Sequence, residues 1–165
     1  MTLRTSDPPP PFTNRLKLVR LKAGESFDVR VCSKELWPYW SHYFNGFSRH
    51  CAGKECTCKA PICYSNREWH AVIHVFLPSV AKEYFFEITN HCAILLNDQV
   101  PDPKNLRGLR VTISRSKGGD NGRLRARVDP HAHLLNELPP ERDPEETMKI
   151  LLASKPWFDL KPKRT

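Results

Sequence analysis

The chain of 165 residues has no run approaching the roughly 18 consecutive apolar residues that a membrane-spanning helix needs, so no such span is expected. Residues 1–14 hold no apolar core of the kind a secretory signal carries, and the expected location is the cytoplasm. No nucleophile elbow and no Ser/His/Asp ordering is present, and Gly118-Gly119 lacks the following helix that a phosphate-binding loop requires. The zinc deaminase signature, H-x-E followed by P-C-x-x-C, is missing too. His131-Ala132-His133 has no matching carboxylate set around it. His70 and His74 would stand about 13 Å apart on a strand, too far to share one ion. Acids are scarce as well: 18 Asp and Glu face 26 Lys and Arg, a formal charge of +8. A basic protein without enzyme activity is the expectation, with a zinc-dependent nuclease or deaminase as the weakest alternative. The hydrophobic fraction of 39% argues against wholesale disorder, and the length suits one domain with a real core.

What is present begins with strands. Arg15 to Lys22 and Phe27 to Cys32 read as an N-terminal β-hairpin around Gly24, the first arm breaking its alternation at Leu18-Val19. Leu36 to Phe47 is dense in aromatics and reads as a strand, with Pro38 pushing it towards a sheet edge or a strand start. Glu68 to Phe76 alternates cleanly: Trp69, Ala71, Ile73 and Val75 share one face, and His70, Val72, His74 and Phe76 the other. Glu83 to Ile88 follows as a strand, and Thr89 caps a short helix over His91 to Leu96. The cleanest hairpin comes next. Leu109, Val111 and Ile113 alternate with Arg110, Thr112 and Ser114, and Leu124, Ala126 and Val128 alternate with Arg123, Arg125 and Arg127. Asp143-Pro144-Glu145-Glu146 starts a C-terminal helix with a cap, a proline at the first position and a Glu at the third.

The fold class is therefore mainly β. From residue 36 the strand order β-β-β-α-β-β is that of the OB-like five-stranded β-barrel, with the N-terminal hairpin and the C-terminal helix as additions. The expected divisions are a disordered arm at 1–14, the OB-like domain with its zinc loop at 15–130, a linker at 131–142, the helix at 143–155 and a basic tail at 156–165.

Two segments carry the chemistry. Cys51, Cys56, Cys58 and Cys63 crowd into one loop, 49–64, with the spacing C-x4-C-x-C-x4-C. Zn²⁺ takes four thiolate or imidazole ligands in a tetrahedron, and without a secretory signal such a cluster reads as metal ligands before disulfides. His42 or His50 stands as a substitute for one cysteine. A structural Zn²⁺ is the expected cofactor, since a catalytic one keeps an open position and a proton shuttle beside it. Glu55 could serve as that shuttle, but an exposed loop glutamate is the better reading.

The second segment is residues 104–127, where eight basic residues face one acid, Asp120. Period-2 geometry puts Arg123, Arg125 and Arg127 on one face, with Arg110, Thr112 and Ser114 on the same face of the partner strand. A face kept only for solubility intersperses acids to relieve repulsion across strands. Their scarcity points to an external anion, and guanidinium forks suit phosphates. Single strands are bound by a basic groove plus aromatic rings on which bases stack. The candidate contacts are Arg110, Arg115, Lys117, Arg123, Arg125 and Arg127 for phosphates, and Tyr39, Tyr43, Phe76 and Phe85 for bases.

An OB order, a cysteine loop after its first strand and a basic hairpin together resemble the zinc-containing single-stranded DNA-binding proteins of phages and mobile elements. The resemblance is architectural and covers about residues 36–128. It implies a structural zinc held by cysteines with one histidine, and binding of single-stranded nucleic acid, expected to be DNA, with weak sequence preference. A replication or recombination protein is a further partner class. The competing reading is a protein-interaction module or inhibitor whose arginine face docks an acidic partner.

Overall fold

A computed structural model describes residues 16–44, 47–51, 67–118, 122–133 and 137–153. The protein is mainly β. Its strands are β1 (Leu18–Val19), β2 (Ser26–Val31), β3 (Trp37–Phe44), β4 (Phe47–His50), β5 (Arg67–Leu77), β6 (Lys82–Thr89), β7 (Leu109–Arg115) and β8 (Leu124–His133). Two helices, α1 (Asn90–Gln99) and α2 (Pro144–Ala153), complete the order. From β3 onwards this is the expected succession of strand, strands, short helix and strands, with β4 added as an antiparallel partner of β3.

The strands form one mixed sheet in the order β1-β6-β5-β2-β7-β8, and β3 and β4 branch from β5. That sheet does not close, so the barrel expected from the element order is an open sheet instead. The N-terminal hairpin is also corrected. The turn at Gly24 forms, with φ at +82°, a region that favours glycine. Its two arms then part. Leu18 and Val19 pair in parallel with Phe85 and Phe86 of β6, while β2 inserts between β5 and β7. Burial explains the choice: Val29 and Val31 become fully buried in the centre of the sheet, which a two-stranded hairpin could not achieve.

One sheet face carries the main core. Val29, Val31, Ala71, Ile73, Val75, Phe86, Ile88, Val111, Ile113 and Leu124 pack there with Cys92, Ala93 and Leu96 of α1. Thr89 accepts a hydrogen bond from the Cys92 amide and caps α1 as expected. At the far end of the helix the Lys104 ammonium donates to the carbonyls of Asn97 and Val100. The expected alternation of β7 and β8 also holds, although β8 runs on through Pro130 to His133 into the stretch expected to be linker. A register irregularity between Leu109 and Arg110 absorbs the extra length.

The opposite face is covered at one end by α2. Leu18, Trp37, Tyr39, Val72, Phe85 and Leu151 form a second core, flanked by Leu16, Met148 and Leu152. Asp143 caps α2 by accepting from the Glu146 amide at 2.8 Å, a contact of the type worth about 1 kcal/mol. The Arg142 guanidinium ties the segment before α2 to Glu83 at 2.8 Å. The helix is thus packed onto the sheet and not merely appended to it. Residues 1–14 and 156–165, expected as arm and tail, lie outside the described residues. No helix among the described residues is long and apolar enough to cross a membrane.

Candidate nucleic-acid interface

The face that α2 covers continues across β2, β7 and β8, where Ser26, Asp28, Arg125 and Arg127 are exposed among the described residues. Strand register fixes its rows. Phe76 of β5 opposes Arg30, which opposes Arg110, which opposes Asp129. The next row is Asp28, Thr112 and Arg127, and the one after is Ser26, Ser114 and Arg125. Arg123, Arg125 and Arg127 all project into solvent. Across from the last two stand Thr112 and Ser114, so no carboxylate faces them directly on β7. Lys117 is exposed in the connecting turn, its stem lying against Gly24. That turn closes tightly: a Cβ on Gly122 would sit 1.8 Å from the Ser116 carbonyl oxygen, so only glycine fits. Gly119 to Asn121 lie outside the described residues.

Two of the expected arginines are already engaged. The Arg110 guanidinium forks onto Asp28, with Nε 3.0 Å from both carboxylate oxygens, and its Nη1 lies 3.8 Å from Asp129 Oδ2. The hydrogen bond from Arg110 holds the Asp28 pKa below the ordinary carboxylate value. The same bond raises the Arg110 pKa further. Arg115 points the other way, is 7% exposed, and donates to the Gly122 carbonyl at 2.7 Å. Burial lowers its pKa, and its Nε finds no partner among the described residues. Arg107, from the same basic stretch, donates to the carbonyls of Cys32 and Pro139. The outward charge of this region therefore narrows to Lys117, Arg123, Arg125 and Arg127.

The aromatic candidates divide as well. Phe76 is half-buried and stands beside Arg30 on the arginine face. Tyr39 and Phe85 are 5% and 2% exposed in the second core, so neither offers a face to a base while α2 is in place. Tyr43 pairs with Ser48 in the β3–β4 ladder, and its side chain is outside the description. Sequence reasoning missed Asp28 and Arg30, although the alternation of Phe27, Val29 and Val31 already turned them outward; what it lacked was the position of β2 beside β7.

Around Arg110 the surface dips into a groove of about 360 Å³, lined by Arg110, Thr112, Arg127, Val128, Asp129 and Pro130. It lies at the end of the arginine row, where the two carboxylates gather.

Beside the second core runs a largely buried polar network. The Tyr39 hydroxyl donates to Glu87, a carboxylate that also has Arg20 at 3.9 Å and His70 Nδ1 at 3.6 Å. Burial, and then the Glu87 charge, raises the Tyr39 pKa. His74 is fully buried, stacked 4.8 Å from Phe85, with Nε2 2.9 Å from Glu83 Oε1. Burial depresses its pKa despite Glu83. Burial works against the Glu83 carboxylate too, but hydrogen bonds from Arg142 and His74 outweigh it and hold its pKa down. His74 is thus fully buried, whereas His70 stays half-buried.

Of the expected zinc ligands, Cys56, Cys58 and Cys63 lie outside the described residues. Cys51 donates its amide to the Trp40 carbonyl at 2.8 Å, which sets it opposite Trp40 at the end of the β3–β4 ladder. Register then puts Cys51 on the same face as His42, and His50 on the other face, where its ring meets Tyr39. His42 and Cys51 are both buried. Burial, with the neighbouring His42, lowers the His50 pKa. Of the two candidate histidines, His42 is therefore the one on the Cys51 face.

No family model, no curated protein and no solved structure matches the chain.

Proposed function

We propose that this protein binds single-stranded nucleic acid on the β2–β7–β8 face and catalyses no reaction there. Phosphates meet Lys117, Arg123, Arg125 and Arg127, and a base stacks on Phe76. The observation that carries the reading is the row of three outward guanidiniums on β8, which no carboxylate pairs among the described residues. Guanidinium forks match phosphate oxygens, and an aromatic ring on the same face is the second element of a single-strand site. The four thiols of the loop at 49–64, with His42 or His50 as substitute for one of them, would hold a structural Zn²⁺ and order a segment too poor in apolar residues to fold alone. A cytoplasmic role suits that reading.

The competing reading is an acidic protein partner on the same arginines, and a salt series separates the two. A labelled mixed-sequence single strand should bind at low salt, with log affinity falling linearly in log salt concentration. Absence of binding at low salt would remove the nucleic-acid reading and leave the acidic partner.

A further inference from the structure

One strand further in from Arg110, the same face holds a guanidinium that the protein leaves unbonded. Arg30 stands on β2 between Phe76 of β5 and Arg110 of β7. Arg107, Arg110, Arg115 and Arg142 each donate to a protein oxygen, but the Arg30 side chain makes no hydrogen bond to any described residue. Its Nε is shut off from solvent without a partner, a cost to the fold that an apolar side chain in the same place would avoid. Arg30 is half-buried, whereas Arg123, Arg125 and Arg127 are exposed, so its Nη groups work close to the floor of the sheet and not out in solvent. Its neighbour is unused in the same way. Phe76 is half-buried, yet it packs against neither core, and no ring or cation stacks on it among the described residues. A ring and a guanidinium, each without a partner, thus lie side by side on adjacent strands about 5 Å apart.

Charge and shape decide what completes this pair. The guanidiniums of Arg30 and Arg110 stand here with the carboxylates of Asp28 and Asp129, two of each sign, so this part of the face has no excess charge to hold a phosphate. The charge of Arg30 acts on Asp28 alongside that of Arg110. A neutral flat ring needs no such excess. Lying on Phe76 it gains stacking, and its edge comes level with the Arg30 donors. Every base carries an oxygen or ring-nitrogen acceptor on an edge, so such a grip holds any of the four.

We infer that Arg30 and Phe76 form a base subsite, in which the base stacks on the Phe76 ring and an Arg30 Nη group donates to an acceptor on its edge. The phosphates of the same strand run along β8, two strands away. The inference rests on the single-strand reading above, and adds to it an arginine that grips the base instead of the backbone.

The test compares two labelled strands of equal length by fluorescence anisotropy across a salt series. One is oligothymidylate; the other has the same phosphodiester backbone with every nucleotide abasic. The parent protein should hold oligothymidylate about tenfold more tightly, within the range for one stacked base. Arg30→Met keeps an apolar stem and removes the donors, and Phe76→Leu keeps an apolar side chain and removes the ring. Each should bring oligothymidylate binding down towards that of the abasic strand, whose continued binding shows that the variants are folded. Neither should change the salt slope, because a base contact releases no counterion. Equal binding of the two strands by the parent would overturn the base subsite and leave phosphate binding along β8 standing. A preference that survives either substitution would also overturn it, as would a slope shallower by about 0.7 in Arg30→Met, the mark of a lost phosphate contact. Failure of both strands to bind at low salt would remove the single-strand reading itself.

Discussion

Replacing Arg123, Arg125 and Arg127 together with Ala removes three of the four outward cations of the β7–β8 hairpin while touching none of its core. All three side chains project into solvent from β8, and the alternate residues Leu124 and Ala126 remain to pack against the sheet. With Lys117 they make the four outward cations of the β7–β8 hairpin, because Arg110 is held by Asp28 and Arg115 is turned inward. Each phosphate neutralised on a single strand contributes about −0.7 to the slope of log affinity against log salt. Four contacts give a slope of about −2.8, and Lys117 alone leaves about −0.7. Between 50 and 200 mM salt the parent protein should therefore lose roughly fifty-fold in affinity and the triple variant only about threefold. Anisotropy of a labelled oligonucleotide across that salt range measures both slopes. Lys149→Ala, an exposed cation on α2, serves as the control and should change neither. A triple variant with the parent slope and intact fold would refute the placement of phosphates along β8.

Three further outcomes follow from the same geometry. Leu151→Ala empties the centre of the second core, where the side chain is fully buried, and should cost about 2–5 kcal/mol in urea unfolding. A loss below about 0.5 kcal/mol would mean that α2 contributes little to the covered face. Burial depresses the His74 pKa in the fold, so the unfolded chain takes up this proton first as pH falls. Its contribution is present above the unfolded value near 6.5 and is lost as pH falls below it, at up to about 1.4 kcal/mol per pH unit. Glu83, also depressed, adds its own loss only below its ordinary carboxylate range. Urea midpoints measured from pH 7 to pH 5 should fall in the parent and stay flatter in His74→Gln; parallel curves would contradict this. For the metal, His42→Ala should release Zn²⁺ to a colorimetric chelator far faster than His50→Ala, since His42 shares the Cys51 face. Equal release would place the histidine ligand elsewhere.

Local patterns carried much of this fold into the sequence. The alternation of Leu109 to Ser114 and Arg123 to Val128 identified β7, β8 and their outward arginines because each strand needs only its own period of two. The Asp143 cap and Pro144 identified the start of α2 for the same local reason. What depended on distant partners was hidden. Phe27 to Cys32 was legible as a strand, but nothing local told it to leave the Gly24 turn and enter the sheet between β5 and β7. That one misplacement concealed Asp28, the counter-charge that takes Arg110 out of the phosphate row. The second core is hard to see locally because polar residues, His70, His74, Glu83 and Glu87, stand around it. They are covered because each finds a partner, with Tyr39, Arg20 and Arg142 supplying the rest. Tyr39 and Phe85 were consequently read as open to bases, when α2 closes over them.

Photo-cross-linking locates the bound strand most directly. A single strand carrying bromodeoxyuridine, irradiated in complex with the full chain and mapped by mass spectrometry, should attach to Phe76 or to peptides from β7 and β8. Cross-links confined to α2, or none at a salt concentration where binding is measured, would contradict the assignment of the strand to this face.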